Sequence, residues 1–521
     1  MENSITRTLP YVIILAMRLV DLVQDVPGAA LVQGDPQTDV RGVVHDSRRV
    51  LPGHLFVVLP GATHDARAYV PQALERGAAG IVADAPLTRP LPPGRALILV
   101  PAARPALADI AAALHGHPSR AVRLVGVTGT DGKTSTTRLL AAILAQAGQR
   151  VGWLTTVDVQ TGGTVRANEL HHTTPEADRV QEVLAEMVAA GDTTAILEVS
   201  SHALALDRVR ACEFDLAIFT NLSPEHLNFH GTMEAYARTK ARLFALLSEP
   251  SGKAWPRVAI LNADDPYSAV MQEQCAVPVR WYGIDQPADV TAHDIRLDVS
   301  GVRFRLATPH GQADIGSRLL GRFNVANWLA AAAAALELGA TLDDVVRAAT
   351  VTAPVAGRMD RVDRGQPFLV VVDFAHTPQA LENALRTVRA HTTGKVMTVF
   401  GHAGERDPAN RPTMGRIAAE QSDFFVISMD DPLHEDPAQI AAQIAAGARA
   451  AGKTEGRDFA IDLDRASAVH TLIGRAQPGD TVLLAGKGHE RRMLVRDERR
   501  PWNDGDAAAT ALASAGYGAA G

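Results

Sequence analysis

Residues 123–135 of the chain, RLVGVTGTDGKTS, decide how the rest of the sequence is interpreted. An apolar strand runs into the turn Gly129-Thr130-Asp131-Gly132, and Lys133-Thr134-Ser135 opens a helical segment. In such a unit, backbone N–H groups and the helix N-terminus can hold phosphates, a lysine can reach the β- and γ-phosphates, and a threonine can ligate Mg²⁺. Val127 replaces the first glycine of a strict Walker A motif. The stretch predicts a nucleotide site.

Length and composition indicate a multidomain globular protein. At roughly 100–200 residues per domain, 521 residues suggest about three or four domains. A hydrophobic fraction of 46% excludes disorder, and a net charge of −7 argues against a dedicated nucleic-acid binder. Cys212 and Cys275 are the only cysteines, so we expect no disulfide framework and a cytoplasmic location.

Both ends of the chain are predicted to lie outside the domains. The apolar stretch 9–17, LPYVIILAM, is shorter than the ~20 residues of a membrane-spanning helix and lacks a signal-peptide cleavage site. We therefore expect the folded part to begin near Met17, with residues 1–16 as a tail. The Ala- and Gly-rich residues 507–521 are predicted to be a second tail after a fraying helix.

Apolar runs alternate with helical segments along the chain, which predicts parallel, helix-covered sheets. The expected domains are residues 17–118, 119–353 and 354–506. In the middle domain, Glu198 ends the apolar run TTAIL, which is where an open α/β sheet offers a Mg²⁺ ligand. Alone, this glutamate would be interpreted as a solvated residue at a strand end.

The motifs in order resemble the Mur ligase superfamily, from about Met17 to about Arg492. They include DSRRVLPGHLF, GTDGKTS, HHTTPEA, EVSSHALALDRV, FTNLSPEHLNFHGTMEAYARTKARLF, VAGRMDRV, VDFAHTPQALE, GERDPANRP, MDDPLHEDP and AGKGHE. The resemblance implies an α/β protein of three domains, with a P-loop parallel-sheet central domain and a Rossmann-like C-terminal domain. The first domain would bind UDP, the second ATP and the third the amino acid.

The resemblance also implies a reaction, in which ATP activates UDP-N-acetylmuramoyl-L-alanyl-D-glutamate as an acyl phosphate and a free amino acid attacks it. The enzyme would be a monomer of peptidoglycan synthesis. Positioning and cation screening would do most of the catalysis, so no Ser-His-Asp triad is expected.

By the same resemblance, Gly129 to Ser135 hold the ATP phosphates, and Thr134, Glu198 and His226 ligate Mg²⁺. Lys240 matches a lysine that is carbamylated in the family, and a carboxylate there suits two cations better than an ammonium would. Arg358 would steady transition-state charge. The other residues that match nucleotide positions are Asn262, Asn324, Asp373 and His376. Core or interdomain roles stay open for several of these, because buried polar groups need partners in any case.

The sugar-nucleotide substrate is expected to span the first two domains. Ser47 matches a uracil-side contact. The residues that match contacts to the UDP-muramoyl part are Thr173, Thr174, Ser200 and Arg208. Leu206 and Pro224 depart from the family pattern, which often has Gln and Arg there.

The third domain should decide which amino acid is added. Family members that add meso-diaminopimelate read Asp-Asn-Pro-Arg, and the arginine holds the distal carboxylate; this chain reads Asp430-Asp431-Pro432-Leu433. Leucine cannot form those bonds, and the carboxylate of Asp431 favours a side-chain ammonium. We predict L-lysine, then L-ornithine, then meso-diaminopimelate. Arg406 would hold the α-carboxylate, and Gly486 with Glu490 would complete the amine end. The alternative is that Leu433 only packs and a nearby arginine substitutes.

Two other classes are weighed against this interpretation. A ligase like folylpolyglutamate synthetase would share the phosphate loop but lack the UDP-binding domain, so DSRRVLPGHLF and HHTTP argue against it. A non-catalytic binding relative would be expected to lose Lys133, Glu198 or Lys240, and all three are present.

Overall fold

The computed structural model describes residues 16–60, 66–168, 172–298 and 301–518. Three large sheets follow one another along the chain, each covered by helices, as the alternation of strands and helices predicts. Within the described ranges, no helix combines the length and the apolar character that crossing a membrane requires. Residues 1–15, including most of the apolar stretch 9–17, lie outside the described residues.

The N-terminal sheet has five strands, and an antiparallel edge strand flanks four parallel ones. In spatial order the strands are Ala30–Gln33, Ala96–Leu99, Gly80–Ala83, His54–Val57 and Gly42–Val44. Their covering helices are Leu19–Gln24, Val70–Glu75 and Ala103–Leu114, with short 3₁₀ turns at Ser47–Arg49, Ala66–Tyr69 and Pro118–Arg120. Met17–Arg18 pairs with Asp39–Val40, so Met17 is part of the N-terminal domain.

The middle sheet has eleven strands in the described part of the chain. Their spatial order is Thr164–Ala167, Asp158–Thr161, Val151–Leu154, Thr194–Glu198, Arg123–Thr128, Leu216–Phe219, Val258–Asn262, Val279–Gly283, Val290–Asp298, Gly301–Thr308 and Gly311–Ser317. The strands from Val151–Leu154 to Val290–Asp298 are parallel, and antiparallel strands extend both edges. This arrangement aligns the carboxyl ends of the central strands, where open α/β sheets bind ligands.

Side chains of these strands alternate between two cores because successive residues of a strand point to opposite faces. Val125 and Val127 enter one core, and Leu124 enters the other. Residues 330–335, all alanine, are buried, so small side chains let their helix pack closely. The helices are Lys133–Gln146, Ala177–Ala189, Ser201–Ala205, Leu227–His230, Met233–Ser248, Ser268–Glu273, Arg322–Glu337 and Leu342–Val351.

The C-terminal sheet has six strands, five of them parallel. The spatial order is Asp360–Arg361, Leu369–Asp373, Thr481–Ala485, Val396–Phe400, Phe424–Ile427 and Phe459–Ile461. The helices are Pro378–His391, Asn410–Gln421, Pro437–Ala450, Arg465–Arg475 and Asp504–Ser514, and a hairpin joins Arg492–Val495 to Glu498–Pro501.

The last helix corrects the predicted tail at 507–521. Asp504–Ser514 buries Ala508, Ala511 and Leu512 in the C-terminal core, and Tyr517 packs its ring against Phe368. The segment was predicted as a fraying helix and a tail, but its spaced alanines form the contact face of a docked helix. Only residues 519–521 fall outside the described part at this end.

A buried ion pair joins Lys253 to Asp215 at the amino ends of the middle strands, on the side away from the phosphate loop. Their side chains are 3% and 2% exposed, Asp215 also accepts a hydrogen bond from the Leu124 amide at 2.7 Å, and Lys253 donates to the Ser119 carbonyl at 2.7 Å. Removing one partner of such a pair leaves an uncompensated buried charge.

We expect Lys253→Met to destabilise the protein by about 3–5 kcal/mol, seen as a lower melting temperature in scanning calorimetry. Arg280→Ala is the matched control, because the ion pair of Arg280 with Glu337 is on the surface and is worth about 0–1 kcal/mol. Equal melting temperatures for the two variants would contradict a stabilising role of the buried pair.

Candidate active site

The phosphate loop is packed against the end of the neighbouring strand Leu216–Phe219. Gly129 has a φ of 148°, and a Cβ built on it would lie 1.8 Å from Thr220 Oγ1. Thr220 donates a hydrogen bond to the Asp131 carbonyl at 2.6 Å, and the Asn221 side chain accepts from the Asp131 amide at 2.9 Å. Only glycine fits at 129, and the loop is held in place at the N-terminus of the helix Lys133–Gln146.

Two lysines converge on one backbone oxygen of this loop. Lys133 Nζ donates to the Gly129 carbonyl at 2.9 Å and Lys240 Nζ donates to the same oxygen at 2.8 Å. Lys240 is 2% exposed; its burial, and next the charge of Lys133, lower its pKa well below the usual value. Both effects favour the neutral amine, which is the nucleophilic form.

The helix Met233–Ser248 brings Lys240 to the loop together with Tyr236, which the sequence analysis did not single out. Four residues apart, the two side chains share one helix face, and Lys240 Nζ lies 4.6 Å from the Tyr236 ring centroid. The Tyr236 hydroxyl is 3.3 Å from Thr130 Oγ1. Its ring also stacks on His230 at 4.9 Å. The sequence signal for Tyr236 was its position four residues before Lys240, which places both side chains on one helix face.

Glu198 lies at the carboxyl end of its strand, as the sequence predicts. Its carboxylate is fully buried and accepts hydrogen bonds from the Thr156 hydroxyl at 2.9 Å and the Thr156 amide at 3.2 Å. The segment that follows carries His202, whose ring centroid is 4.6 Å from that of His226. Burial is the main reason that the pKa of His226 falls to about 3, which leaves a neutral imidazole with a free lone pair.

Glu225 is the residue of this centre that the sequence analysis missed. Its carboxylate lies 3.3 Å from His226 Nε2 and 3.5 Å from His376 Nε2, and its side chain is 14% exposed. Burial raises the pKa of Glu225, but the hydrogen bond from His376 and the nearby cationic groups outweigh burial and lower it. Glu225 thus remains ionised and links the middle domain to the C-terminal domain. Its place beside His226, in the loop after the strand Leu216–Phe219, was the sequence signal.

A cavity of about 340 Å³ opens between these two domains beside the phosphate loop. Its lining includes the predicted nucleotide residues Asn262, Asn324, Arg358, Asp373 and His376. It also includes Asn327, which the sequence analysis missed; its amide donates to Asn324 Oδ1 at 2.9 Å. The available sequence signal was its spacing, because residues three apart in a helix, such as Asn324 and Asn327, share one face.

Arg358 and Asp373 both line this cavity. The guanidinium of Arg358 lies 4.5 Å from the Phe374 ring centroid, and its buried Nε has no hydrogen-bond partner within the described residues. Asp373 accepts hydrogen bonds from the Met359 amide at 2.7 Å and the Ala375 amide at 2.9 Å, while burial raises its pKa to about 6. An unpaired guanidinium at a cavity wall suits an anionic ligand.

The predicted sugar-nucleotide residues form two groups. Ser47 is buried and donates to Gln72 Oε1 at 2.6 Å within the N-terminal domain. Thr174 donates to the Glu198 carbonyl at 2.7 Å, and Thr173 accepts from the Thr156 hydroxyl at 3.0 Å, so both lie at the Glu198 strand end. Ser200 caps the helix that follows.

Arg208 belongs to the second group but is already engaged. Its guanidinium donates to Glu176 Oε1 through Nε at 3.0 Å and Nη2 at 2.6 Å, and to the Thr174 carbonyl at 2.9 Å. The guanidinium therefore holds the segment around Thr174. The sequence analysis did not anticipate Glu176 as its partner.

The third domain carries a cluster of carboxylates around one buried lysine. Carboxylate oxygens of Asp430, Asp431 and Glu490 lie within 4.8 Å of one another. Lys487, which the sequence analysis missed, is fully buried among them, 2.7 Å from Asp431 Oδ1, 3.8 Å from Asp430 Oδ1 and in contact with Glu490. Three carboxylates around one ammonium leave an excess of negative charge, which suits a further ammonium.

Leu433 follows Asp431 in the same segment, and Arg406 lies in a loop whose Gly404 packs against Pro432. Leu433 has a φ of 52° and pairs with Val495 of the hairpin, and Pro432 precedes it. Arg406 is exposed. Gly486 touches Asp430, since a Cβ on it would lie 2.6 Å from Asp430 Oδ2.

The carboxylate cluster and the nucleotide cavity share a wall. Gly486 donates its amide to the Asp373 carbonyl at 3.1 Å, and the rings of Phe374 and His489 are 5.0 Å apart. The segment 373–376 lines the cavity, while the segment 486–490 completes the cluster. The cavity and the carboxylate cluster are therefore direct neighbours in the C-terminal domain.

The three-domain α/β fold, the phosphate loop and the interdomain cavity define a nucleotide-dependent enzyme. Residues 127–335 match the family model of the Mur ligase middle domain, and residues 357–488 match that of the Mur ligase, glutamate ligase domain. The chain belongs to the Mur ligase family. It is an ATP-dependent ligase that forms a peptide bond between a carboxylate and an amine.

Relatives match the chain along nearly its whole length. The UDP-N-acetylmuramyl-tripeptide synthetase of Roseiflexus sp. (strain RS-1) is 46% identical over 92% of this chain and 96% of its own. The UDP-N-acetylmuramoyl-L-alanyl-D-glutamate–2,6-diaminopimelate ligase of Geobacillus kaustophilus is 41% identical over 96% and 100%. A solved structure of a ligase with the latter name superposes with a TM-score of 0.66 at 30% identity, covering 96% of this chain and 100% of that one.

We expect Gly132→Ala to weaken ATP binding at least about tenfold, because a misplaced phosphate loop loses contacts to the phosphates. Gly132 has a φ of 84°, and a Cβ on it would lie 2.5 Å from Asn327 Oδ1. Titration calorimetry with ATP measures the effect.

Gly148→Ala is the matched control for this variant. Gly148 follows the same helix at a φ of 77°, but a Cβ there meets nothing within 4 Å. It carries the same backbone strain without the contact, so its ATP affinity should equal that of the unmodified protein. Equal affinity in both variants would rule out the close packing of Gly132 as a requirement.

Proposed function

We propose that the enzyme adds the third amino acid to UDP-N-acetylmuramoyl-L-alanyl-D-glutamate, the substrate named for its relatives. The observation that carries this proposal is the shared wall between the nucleotide cavity and the carboxylate cluster. ATP would transfer its γ-phosphoryl group to the free carboxylate of the D-glutamyl residue. The amine of the incoming amino acid would then attack the acyl phosphate, and phosphate would leave from a tetrahedral intermediate.

The protein's own contribution to this reaction would be positioning and charge. Lys133 would move from the Gly129 carbonyl to the phosphates, and the unpaired guanidinium of Arg358 would face the transferred phosphoryl group. Neither residue needs to form a covalent bond. Both domains must be in contact for Arg358 and the phosphate loop to act on one ATP.

The residues present fit Mg²⁺. The carboxylate of Glu198, the hydroxyl of Thr134 and the neutral imidazole of His226 would hold it, and the buried Lys240, whose lowered pKa favours the neutral amine, suits conversion to a carbamate that adds anionic oxygens. When bound, the metal would screen the charges of the phosphates. The remaining roles assigned in the sequence analysis, from Ser47 to Arg208, stay predictions, as does the monomeric state.

For the third amino acid, we propose meso-diaminopimelate. Several relatives are named as diaminopimelate ligases. Meso-diaminopimelate, which was ranked last from the sequence, therefore has better support than L-lysine, which was ranked first. The carboxylate cluster suits the distal amino group of this substrate. L-lysine or L-ornithine is the second candidate. Leu433 favours it, because leucine offers no cation to the distal carboxylate of diaminopimelate.

An amino-acid panel tests this choice. The enzyme is incubated with UDP-N-acetylmuramoyl-L-alanyl-D-glutamate, ATP, Mg²⁺ and each of the three amino acids, and phosphate release and product mass are followed. We expect turnover with meso-diaminopimelate, and a lower KM for it in Leu433→Arg with no such gain for lysine. Turnover with lysine or ornithine alone would replace the proposed substrate by the second candidate.

Lys240→Ala tests the carbamate. We expect a loss of at least about 100-fold in kcat, partly restored by formate or acetate, which can occupy the vacated space as a carboxylate. Arg238→Ala is the matched control, because Arg238 is exposed and lies two residues earlier in the same helix. Its kcat should equal that of the unmodified enzyme, with or without the added acids. Full activity of Lys240→Ala without added acid would rule out a role in holding metal.

A further inference from the structure

A fully buried ion pair in the C-terminal domain has no role in the reaction described so far. Arg465 opens the helix Arg465–Arg475 and Asp504 opens the last helix, and their side chains are 1% and 0% exposed. Arg465 Nε and Nη2 donate to the two Asp504 oxygens at 2.8 and 2.7 Å. Burying such a pair contributes little to stability, since apolar residues of similar volume often serve as well.

The remaining donors of Arg465 reach two strand ends. Nη2 donates to the Ala485 carbonyl at 2.8 Å, and Nη1 lies 3.5 Å from the Met429 carbonyl. Ala485 directly precedes Gly486, and Met429 directly precedes Asp430. One guanidinium thus fixes the backbone immediately before both segments of the carboxylate cluster.

The residues before Asp504 hold the end of the segment 486–490, which carries Glu490. The Asn503 side chain donates to the Glu490 carbonyl at 3.2 Å, and the Trp502 amide donates to the Arg491 carbonyl at 3.1 Å. The Trp502 indole N–H donates to Asp504 Oδ1 at 2.8 Å. The start of the last helix therefore contacts Glu490 directly and the other cluster segments through Arg465.

We propose that Arg465 and Asp504 are positioning residues for the incoming amino acid, through which the C-terminal helix fixes the carboxylates that receive its side chain. The inference rests on the proposed function, in which this cluster binds the amino acid. Neither residue touches the substrate. Both act by holding Asp430, Gly486 and Glu490 at fixed separations.

The electrostatics agree with this arrangement. Burial raises the pKa of Asp430, but Lys487 and then Arg465 outweigh it and lower the pKa. Asp430 therefore stays ionised even though it is buried. Asp504 compensates the charge of Arg465, so the guanidinium can lie behind the cluster without cancelling the excess negative charge that an incoming ammonium needs.

The first test is Asp504→Asn, a nearly isosteric change that removes the charge. Steady-state kinetics of the full-length enzyme are measured with each substrate varied in turn. We expect the KM for the amino acid to rise at least about tenfold, with the KM for ATP and for the sugar-nucleotide unchanged. Arg465→Lys should raise the KM for the amino acid in the same way, because an ammonium keeps the charge but cannot span Asp504 and the Ala485 carbonyl.

Two further variants separate positioning from stability. The double variant Arg465→Met/Asp504→Leu replaces the pair by apolar groups and should recover melting temperature relative to the single variants, while its amino-acid KM stays raised. Leu512→Ala loosens the same helix by deleting buried side-chain atoms without touching the pair. It should lower the melting temperature and leave the amino-acid KM unchanged.

The inference is overturned if Asp504→Asn leaves the amino-acid KM at its original value. It is equally overturned if the double variant recovers both melting temperature and KM, or if Leu512→Ala raises the KM as much as Asp504→Asn does. An unmodified enzyme that turns over none of the diamino acids would instead contradict the proposed function. The two failures are therefore distinguishable.

Discussion

The structure of the active site depends on two lysine side chains that share the carbonyl oxygen of Gly129. Lys240 is buried and the ammonium of Lys133 lies close to it, so lost hydration and charge repulsion both disfavour a charge on Lys240. Two features reduce this repulsion. The pKa of Lys240 is lowered, and the ionised Glu225 lies nearby. In the proposed reaction this loop would receive the phosphates of ATP, whose negative charge would relieve the repulsion.

Catalysis requires contact between the middle and C-terminal domains because neither contains a complete site. The phosphate loop belongs to one domain, and Arg358 and Asp373 belong to the other, with the nucleotide cavity between them. Glu225 and His376 form an ion pair across this boundary. Because each member of the pair is mostly buried, the pair helps to hold the two domains together.

Charge also shapes the amino-acid site. Lys487 neutralises part of a cluster of three carboxylates and keeps them close together, while Arg465 and Asp504 act from behind. A diamino acid brings the missing positive charge. The distal carboxylate of diaminopimelate would need a cation that Leu433 does not provide, so the amino acid chosen depends on groups that the sequence places far apart.

The sequence by itself determined the strand and helix pattern, the phosphate loop and the family, because these depend on local periodicity and on contiguous motifs. Glu198 and Lys240 were recognised for the same reason. Only the tertiary structure decided that Glu225 bridges two domains, that Lys487 lies among three carboxylates, and that the alanine-rich end is a docked helix rather than a tail. These features depend on contacts between residues distant in the chain, whose burial and charge pairing exist only once the domains have folded and packed together.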